Sequence, residues 1–136
     1  MNSNFGQDGA WQLAVYTTDN GGNVTTNSTP SNMPNVLVGR VNNYWMSPDG
    51  KYLAVSGTSG FQIFWFNGAN PITKLTGLIV TDQVQQVYWD KFDHLYAVSA
   101  HAGQLYVFTV TSEGVTQAPS SPHAISNPQS LIVLPK

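Results

Sequence analysis

Cysteine is absent from the 136 residues. That excludes disulfides, thiolate metal centres and a cysteine nucleophile. Charge is scarce as well: Asp, Glu, Lys and Arg make up 9% of the chain, against roughly 25% in a typical globular protein. The five Lys and Arg residues stand against seven Asp and Glu, for a net charge of −2. They are spread without a basic stripe, so nucleic acid is not an expected partner. No apolar run approaches the ~20 residues of a membrane span. Met1-Asn2-Ser3-Asn4-Phe5 has neither a basic start nor an apolar core, so it does not read as a signal peptide. No His-x-His or His-Glu-x-x-His spacing marks a metal site, and no Gly-x-Ser-x-Gly marks a serine nucleophile. No metal and no cofactor are expected. Helical periodicity is missing throughout.

Uncharged polar residues replace the missing charge. Asn, Gln, Ser and Thr number 45, a third of the chain. Such a surface suits a periplasmic or secreted protein. The chain is organised around Val41–Phe66, VNNYWMSPDGKYLAVSGTSGFQIFWF. Ser47-Pro48-Asp49-Gly50-Lys51 reads as a tight turn, with Pro presetting φ and Gly supplying a positive one. It separates an aromatic strand, Asn42 to Met46, from an apolar one, Tyr52 to Ser56. Gly57-Thr58-Ser59-Gly60 then reverses the chain into Phe61 to Phe66. That last strand is apolar on both faces, so its sheet is expected to be covered on both sides.

The pattern repeats. At a shift of 43, Val41-Asn42-Asn43-Tyr44 falls on Val84-Gln85-Gln86-Val87, and Leu53-Ala54-Val55-Ser56 on Tyr96-Ala97-Val98-Ser99. At a shift of 44, Phe61, Ile63 and Phe64 fall on Leu105, Val107 and Phe108. The same shift places Val84-Gln85-Gln86-Val87 on Pro128-Gln129-Ser130-Leu131. Four strands in about 43 residues is the period of a propeller blade.

The fold expected is therefore all-β: a partial β-propeller of about three blades of four-stranded antiparallel sheet, two of them complete. The repeats run over residues 1–40 (partial), 41–83, 84–127 and 128–136, the last an inner strand. Predicted strands span Trp11 to Thr17, Val24 to Thr26, Asn42 to Met46, Tyr52 to Ser56, Phe61 to Phe66, Ile72 to Leu75, Gln85 to Trp89, Leu95 to Ser99, Gln104 to Val110, Val115 to Gln117 and Gln129 to Leu134. Asn27 to Asn35 reads as loop. Since closed rings have ~4–8 blades, the expected partners include the remaining blades of the same protein or a second copy of the chain.

Ser47-Pro48-Asp49-Gly50-Lys51-Tyr52-Leu53-Ala54-Val55 resembles the blade hallmark of the lactonase-type, 6-phosphogluconolactonase-like, YVTN-type seven-bladed propellers. Phe66-Asn67-Gly68-Ala69-Asn70-Pro71-Ile72-Thr73 looks like their third-to-fourth-strand hairpin, and Ser121-Pro122-His123 like their inter-blade loop. The resemblance, to a C-terminal portion of such a ring, covers about residues 11 to 136. It implies hydrolysis of a sugar or organic-acid lactone. One departure bears on substrate. Where the family often carries Pro-Arg-His at the start of the innermost strand, this chain has Val41-Asn42-Asn43, Val84-Gln85-Gln86 and Pro128-Gln129-Ser130. Neutral groups stand where a phosphorylated or carboxylated ligand would want cations.

Blade topology sorts the loops onto two faces. Arg40, Thr58, Ser59, Asp82, Gln83, His101 and His123 are expected on the face over the channel. Asp49, Lys51, Asp93 and His94 are expected on the other. The catalytic candidates are His101 and Asp82, with Arg40 to steady an oxyanion. Arg40 and Asp82 are also placed to pair at the mouth. The ligand-binding candidates are Asn42, Gln85, Gln129 and His123. The competing expectation is a non-catalytic propeller that binds a neutral ligand or a protein.

Overall fold

The computed structural model describes residues 11–66, 72–99, 101–119 and 121–124. The strand expected at Gln129 to Leu134, the candidate Gln129 and the hairpin at 67–71 lie outside them. In chain order the strands are β1 (Trp11–Gln12), β2 (Thr17–Thr18), β3 (Val24–Thr25), β4 (Asn35–Val36), β5 (Val41–Met46), β6 (Tyr52–Gly57) and β7 (Gly60–Trp65). They continue with β8 (Thr73–Lys74), β9 (Gln86–Trp89), β10 (His94–Ser99), β11 (Gln104–Thr111), β12 (Gly114–Gln117) and β13 (His123–Ala124). The described residues contain no helix. The fold is all-β and resembles part of a propeller.

Two sheets follow the predicted repeat. β5-β6-β7-β8 form one four-stranded antiparallel meander, here sheet 1. β9-β10-β11-β12 form the next, sheet 2, and β13 adds to β11. Alternation explains how they stack. Tyr52, Ala54, Phe61 and Ile63 of sheet 1 join Val87, Trp89, Leu95, Ala97, Phe108 and Val110 of sheet 2 in one buried cluster. The intervening residues Val55 and Phe64 point the other way, into a second cluster with Val15, Val36, Val38 and Ile72. Sheet 1 is thus covered on both faces, by sheet 2 and by the N-terminal segment. Each buried ring there removes ~150–250 Å² from water. Phe61 meets Phe108 edge-on at 5.3 Å, and Tyr52 stacks on Trp89 at 5.9 Å.

The inner strands are tied together directly. Asn43 Oδ1 accepts the Val87 N–H at 3.3 Å, and Trp89 Nε1 donates to the Trp45 carbonyl at 2.9 Å. In both pairs the partners are 44 residues apart, one position beyond the 43-residue shift that aligns these strands.

The N-terminal region departs from expectation. The strand expected from Trp11 to Thr17 splits into β1 and β2. Between them Val15 gives its N–H to Ser28 Oγ at 2.9 Å, and its carbonyl accepts from Thr26 Oγ1. Hydroxyls have taken the place of a strand neighbour. β4 lies partly in the stretch read as loop, pairing Asn35 with Gln12 and Val36 with Trp11.

Gly60 holds a φ of 134°. A Cβ there would meet the Val80 carbonyl, because the connector leaving sheet 1 hydrogen-bonds back to Phe61 through Ile79, at 2.9 and 2.7 Å. Gly60→Ala therefore loses on conformation and on space together. We expect it to cost about 2 kcal/mol or more, read as a lower denaturation midpoint at unchanged m-value. A midpoint equal to that of the unsubstituted chain would contradict the close approach.

Candidate functional site

The hairpins of the two sheets sort onto opposite ends of the stack. At one end lie the β6–β7 hairpin, the connector into sheet 2, the β10–β11 hairpin and β13. Thr58 exchanges hydrogen bonds with Arg40: its N–H donates to the Arg40 carbonyl at 3.1 Å, and its Oγ1 accepts the Arg40 N–H at 3.1 Å. The Val84 N–H donates to the Gly57 carbonyl at 3.0 Å. These bonds bring the start of β9 against the turn of the preceding sheet. Asp82 stands two residues before Val84, and its Oδ1 lies 3.2 Å from His101 Nδ1. The same oxygen accepts the Gln83 N–H at 2.8 Å, which fixes the carboxylate. β13 brings His123 opposite Leu105, at the start of β11.

The catalytic candidates Asp82 and His101 thus meet, although 19 residues separate them. The expected pairing of Asp82 with Arg40 is replaced by this one. Among the described residues, no carboxylate lies within ion-pair distance of the Arg40 guanidinium. The pair is open to water, with the His101 side chain 79% exposed. An imidazole held by a carboxylate at Nδ1 presents Nε2 outward, able to accept a proton from water or a ligand.

The amide candidates behave differently. Asn42 is exposed, but its Nδ2 donates to the Val84 carbonyl at 3.2 Å, across the gap between sheets. Gln85 is half-buried and gives its N–H to the Val98 carbonyl at 3.1 Å. His123 is exposed. Asn43, one of the neutral groups at the start of the innermost strand, and Trp89, an aromatic that could have served a sugar-stacking platform, instead form the joint described above.

At the opposite end two equivalent turns face each other. Ser47 Oγ donates to Asp49 Oδ1 at 2.6 Å and accepts the Tyr52 N–H at 3.0 Å. Its counterpart one repeat on, Asp90, accepts the Phe92 and His94 N–H groups at 2.8 and 3.0 Å and binds the His94 ring at 2.8 Å. His94 and His101 therefore sit at opposite ends of β10, about 20 Å apart at a strand's rise per residue. The Ser47 hydroxyl, together with the Lys51 amide and charge, holds the Asp49 carboxyl below its ordinary range. Burial raises Asp90, but its bonds to the His94 and Phe92 amides and the His94 ring outweigh that and hold it low. Asp93 is pushed up, first by burial and then by the Asp49 charge. Among the described residues, no group of three or more His, Asp or Glu is arranged to hold a metal.

Comparison by sequence finds no matching family model and no matching curated protein. Comparison of folds finds two crystal structures. One is of a protein named "putative 6-phosphogluconolactonase" from Bacteroides uniformis ATCC 8492, with TM-score 0.67 and 16% identity over 86% of this chain and 35% of that one. The other carries the same name and comes from Bacteroides fragilis NCTC 9343, with TM-score 0.61 and 16% identity over 71% of this chain and 30% of that one. This chain spans about a third of their length. At that identity the likeness shows a shared fold.

The turn face yields a signed pH dependence. Asp93 is raised in the folded state, so the folded form is favoured below the ordinary carboxylate range. That advantage is lost as pH rises through the raised value. Asp93→Asn keeps a side chain that tolerates the φ of 62° found there and removes the charge. Stability at pH 7 should rise by on the order of 0.5 kcal/mol, and the gain should vanish in acid. A gain of equal size at all pH values, or a loss at pH 7, would contradict the cost of holding the Asp93 charge partly buried and beside Asp49.

Proposed function

We propose that this chain is part of a lactonase-like propeller that hydrolyses an uncharged sugar or organic-acid lactone, with the Asp82–His101 pair as general base. The observation that carries the reading is the 3.2 Å contact between Asp82 Oδ1 and His101 Nδ1 at the end of the stack that also holds Arg40. In the reaction, His101 Nε2 takes a proton from water as the water oxygen attacks the ring carbonyl. The C–O bond of the ring breaks as the tetrahedral intermediate collapses, and the proton passes to the leaving alkoxide. The product is the open hydroxy acid. Asp82 orients the imidazole and balances its charge, and Arg40 steadies the oxyanion. The lactonase-like fold supports this reading, as does the sequence resemblance to seven-bladed YVTN-type propellers.

The exposure of His101 favours a second reading, a non-catalytic propeller that uses the same end to bind a neutral ligand or a protein. A general base is more effective where water is excluded.

Hydrolysis separates the two. Under the catalytic reading, the chain opens gluconolactone above the buffer rate. His101→Ala and Asp82→Asn each lower that rate by about 10²-fold or more, with the melting temperature unchanged. Because the resemblance sets Asn42, Asn43, Gln85 and Gln86 where the family often carries Arg and His, kcat/KM should be no better for 6-phosphogluconolactone than for gluconolactone. Turnover equal to buffer, or unaffected by either substitution, would reject the catalytic reading in favour of binding. A preference for the phosphorylated lactone would reject the neutral substrate.

A further inference from the structure

Among the described residues, two that are not glycine hold a left-handed φ: Asp93 at 62° and Val80 at 56°. Asp93 lies at the β9–β10 hairpin tip, and Asp tolerates that conformation. Valine does not. Its branched Cβ crowds the backbone there, so a valine in this region marks a place that its surroundings force. Val80 lies in the connector between the two sheets, two residues before Asp82.

The connector is fixed at both ends. Ile79 is bonded to Phe61 in both directions, at 2.9 and 2.7 Å. The Val84 N–H donates to the Gly57 carbonyl at 3.0 Å. Only residues 80–83 are left to cross the end of sheet 1 between these points. Val80 is gripped on two sides as it makes the turn. Its carbonyl rests on Gly60, so closely that a Cβ on Gly60 would run into the oxygen. Its half-buried side chain packs against the cluster between the sheets.

The turn delivers Asp82. Its Oδ1 accepts the Gln83 N–H at 2.8 Å and lies 3.2 Å from His101 Nδ1. The His101 side chain is largely in water and the Asp82 side chain partly so, so little packing holds the two together. The backbone that carries Asp82 sets the distance.

We propose that Val80 is a positioning residue for Asp82. Its side chain, anchored in the cluster, holds the left-handed turn that points the connector, and with it the Asp82 carboxylate, at His101. Glycine would take the same φ more easily, but without an anchor, and the connector would be free to leave it. This role rests on the Asp82–His101 pair being the working site of the proposed reaction. The contact itself can be read without turnover.

The test is the tautomer of His101, read by NMR from its side-chain nitrogen shifts at a pH where the ring is neutral. A carboxylate only accepts, so the Asp82 bond keeps the proton on Nδ1. A released imidazole prefers to carry it on Nε2. The unsubstituted chain should show mainly the Nδ1–H form, and Asp82→Ala mainly the Nε2–H form. Val80→Gly should follow Asp82→Ala. So should Val80→Asn, which tolerates the left-handed backbone but lacks the apolar anchor. Val80→Ile keeps the branch and the anchor and should keep the Nδ1–H form. All should retain the far-ultraviolet spectrum of the unsubstituted chain. A purely structural role for Val80 would move the melting temperature and leave the tautomer alone, and that result for Val80→Gly and Val80→Asn overturns the proposal. So does an unsubstituted chain already in the Nε2–H form, or loss of the Nδ1–H form in Val80→Ile. The expected tautomers in a chain that does not hydrolyse gluconolactone would reject the catalytic reading and support the positioning role.

Discussion

A β-sheet whose two faces are both apolar must be covered twice, and this constraint shapes the whole chain. Sheet 1 has Tyr52, Ala54, Phe61 and Ile63 on one side and Val55 and Phe64 on the other. Burying only one of these clusters would leave several large side chains in water, at ~1.5–3 kcal/mol each. The answer is a stack: sheet 2 on one face, the N-terminal segment on the other. Side-chain bonds then fix the register of the stack. Gln62 is fully buried, and its Oε1 accepts the Leu37 N–H at 2.7 Å, tying the N-terminal cover to β7. Asn43 and Trp89 do the same on the other side. A buried amide without a partner would be costly, so these residues select one alignment of neighbouring sheets.

The same stacking assembles the candidate site. Neither Asp82 nor His101 belongs to a motif. Asp82 sits on the connector that must run from the end of sheet 1 to the start of sheet 2. His101 sits on the hairpin that the β10–β11 register places beside it. The contact follows from the repeat geometry, much as Asp49 and Asp93 are brought near each other by the equivalent turns at the far end. Site chemistry in this architecture is a matter of which loops share an end.

That is why the sequence was informative about the sheets and less so about the side chains. The 43–44-residue spacing located both four-stranded sheets, since β5 to β12 carry strong alternation and distinct turns. It did not locate β4. Asn35-Val36 is only two residues long and follows a loop rich in Pro, Asn and Ser, so its pairing with Trp11 and Gln12 is a tertiary effect. Trp11, Leu13 and Val15 alternate as a strand should, yet Thr26 and Ser28 hydroxyls satisfy the Val15 backbone instead. Loop parity placed His101 and Asp82 together. It could not show that Asp82 turns to His101 rather than to Arg40, or that Asn42 is spent on the Val84 carbonyl. Those choices depend on distances of a few ångströms, which periodicity does not encode.

The central claim is that the two sheets form one cooperative unit through the β5–β9 joint and the cluster between them. Native-state hydrogen exchange measures this directly. Val55 and Phe64 report on sheet 1, Ala97 and Phe108 on sheet 2. If the account is right, their amides exchange with the same opening free energy, and Asn43→Ala lowers all four together. If sheet 2 opens at a lower free energy while sheet 1 stays protected, or if Asn43→Ala affects one sheet alone, the sheets are independent and the account fails.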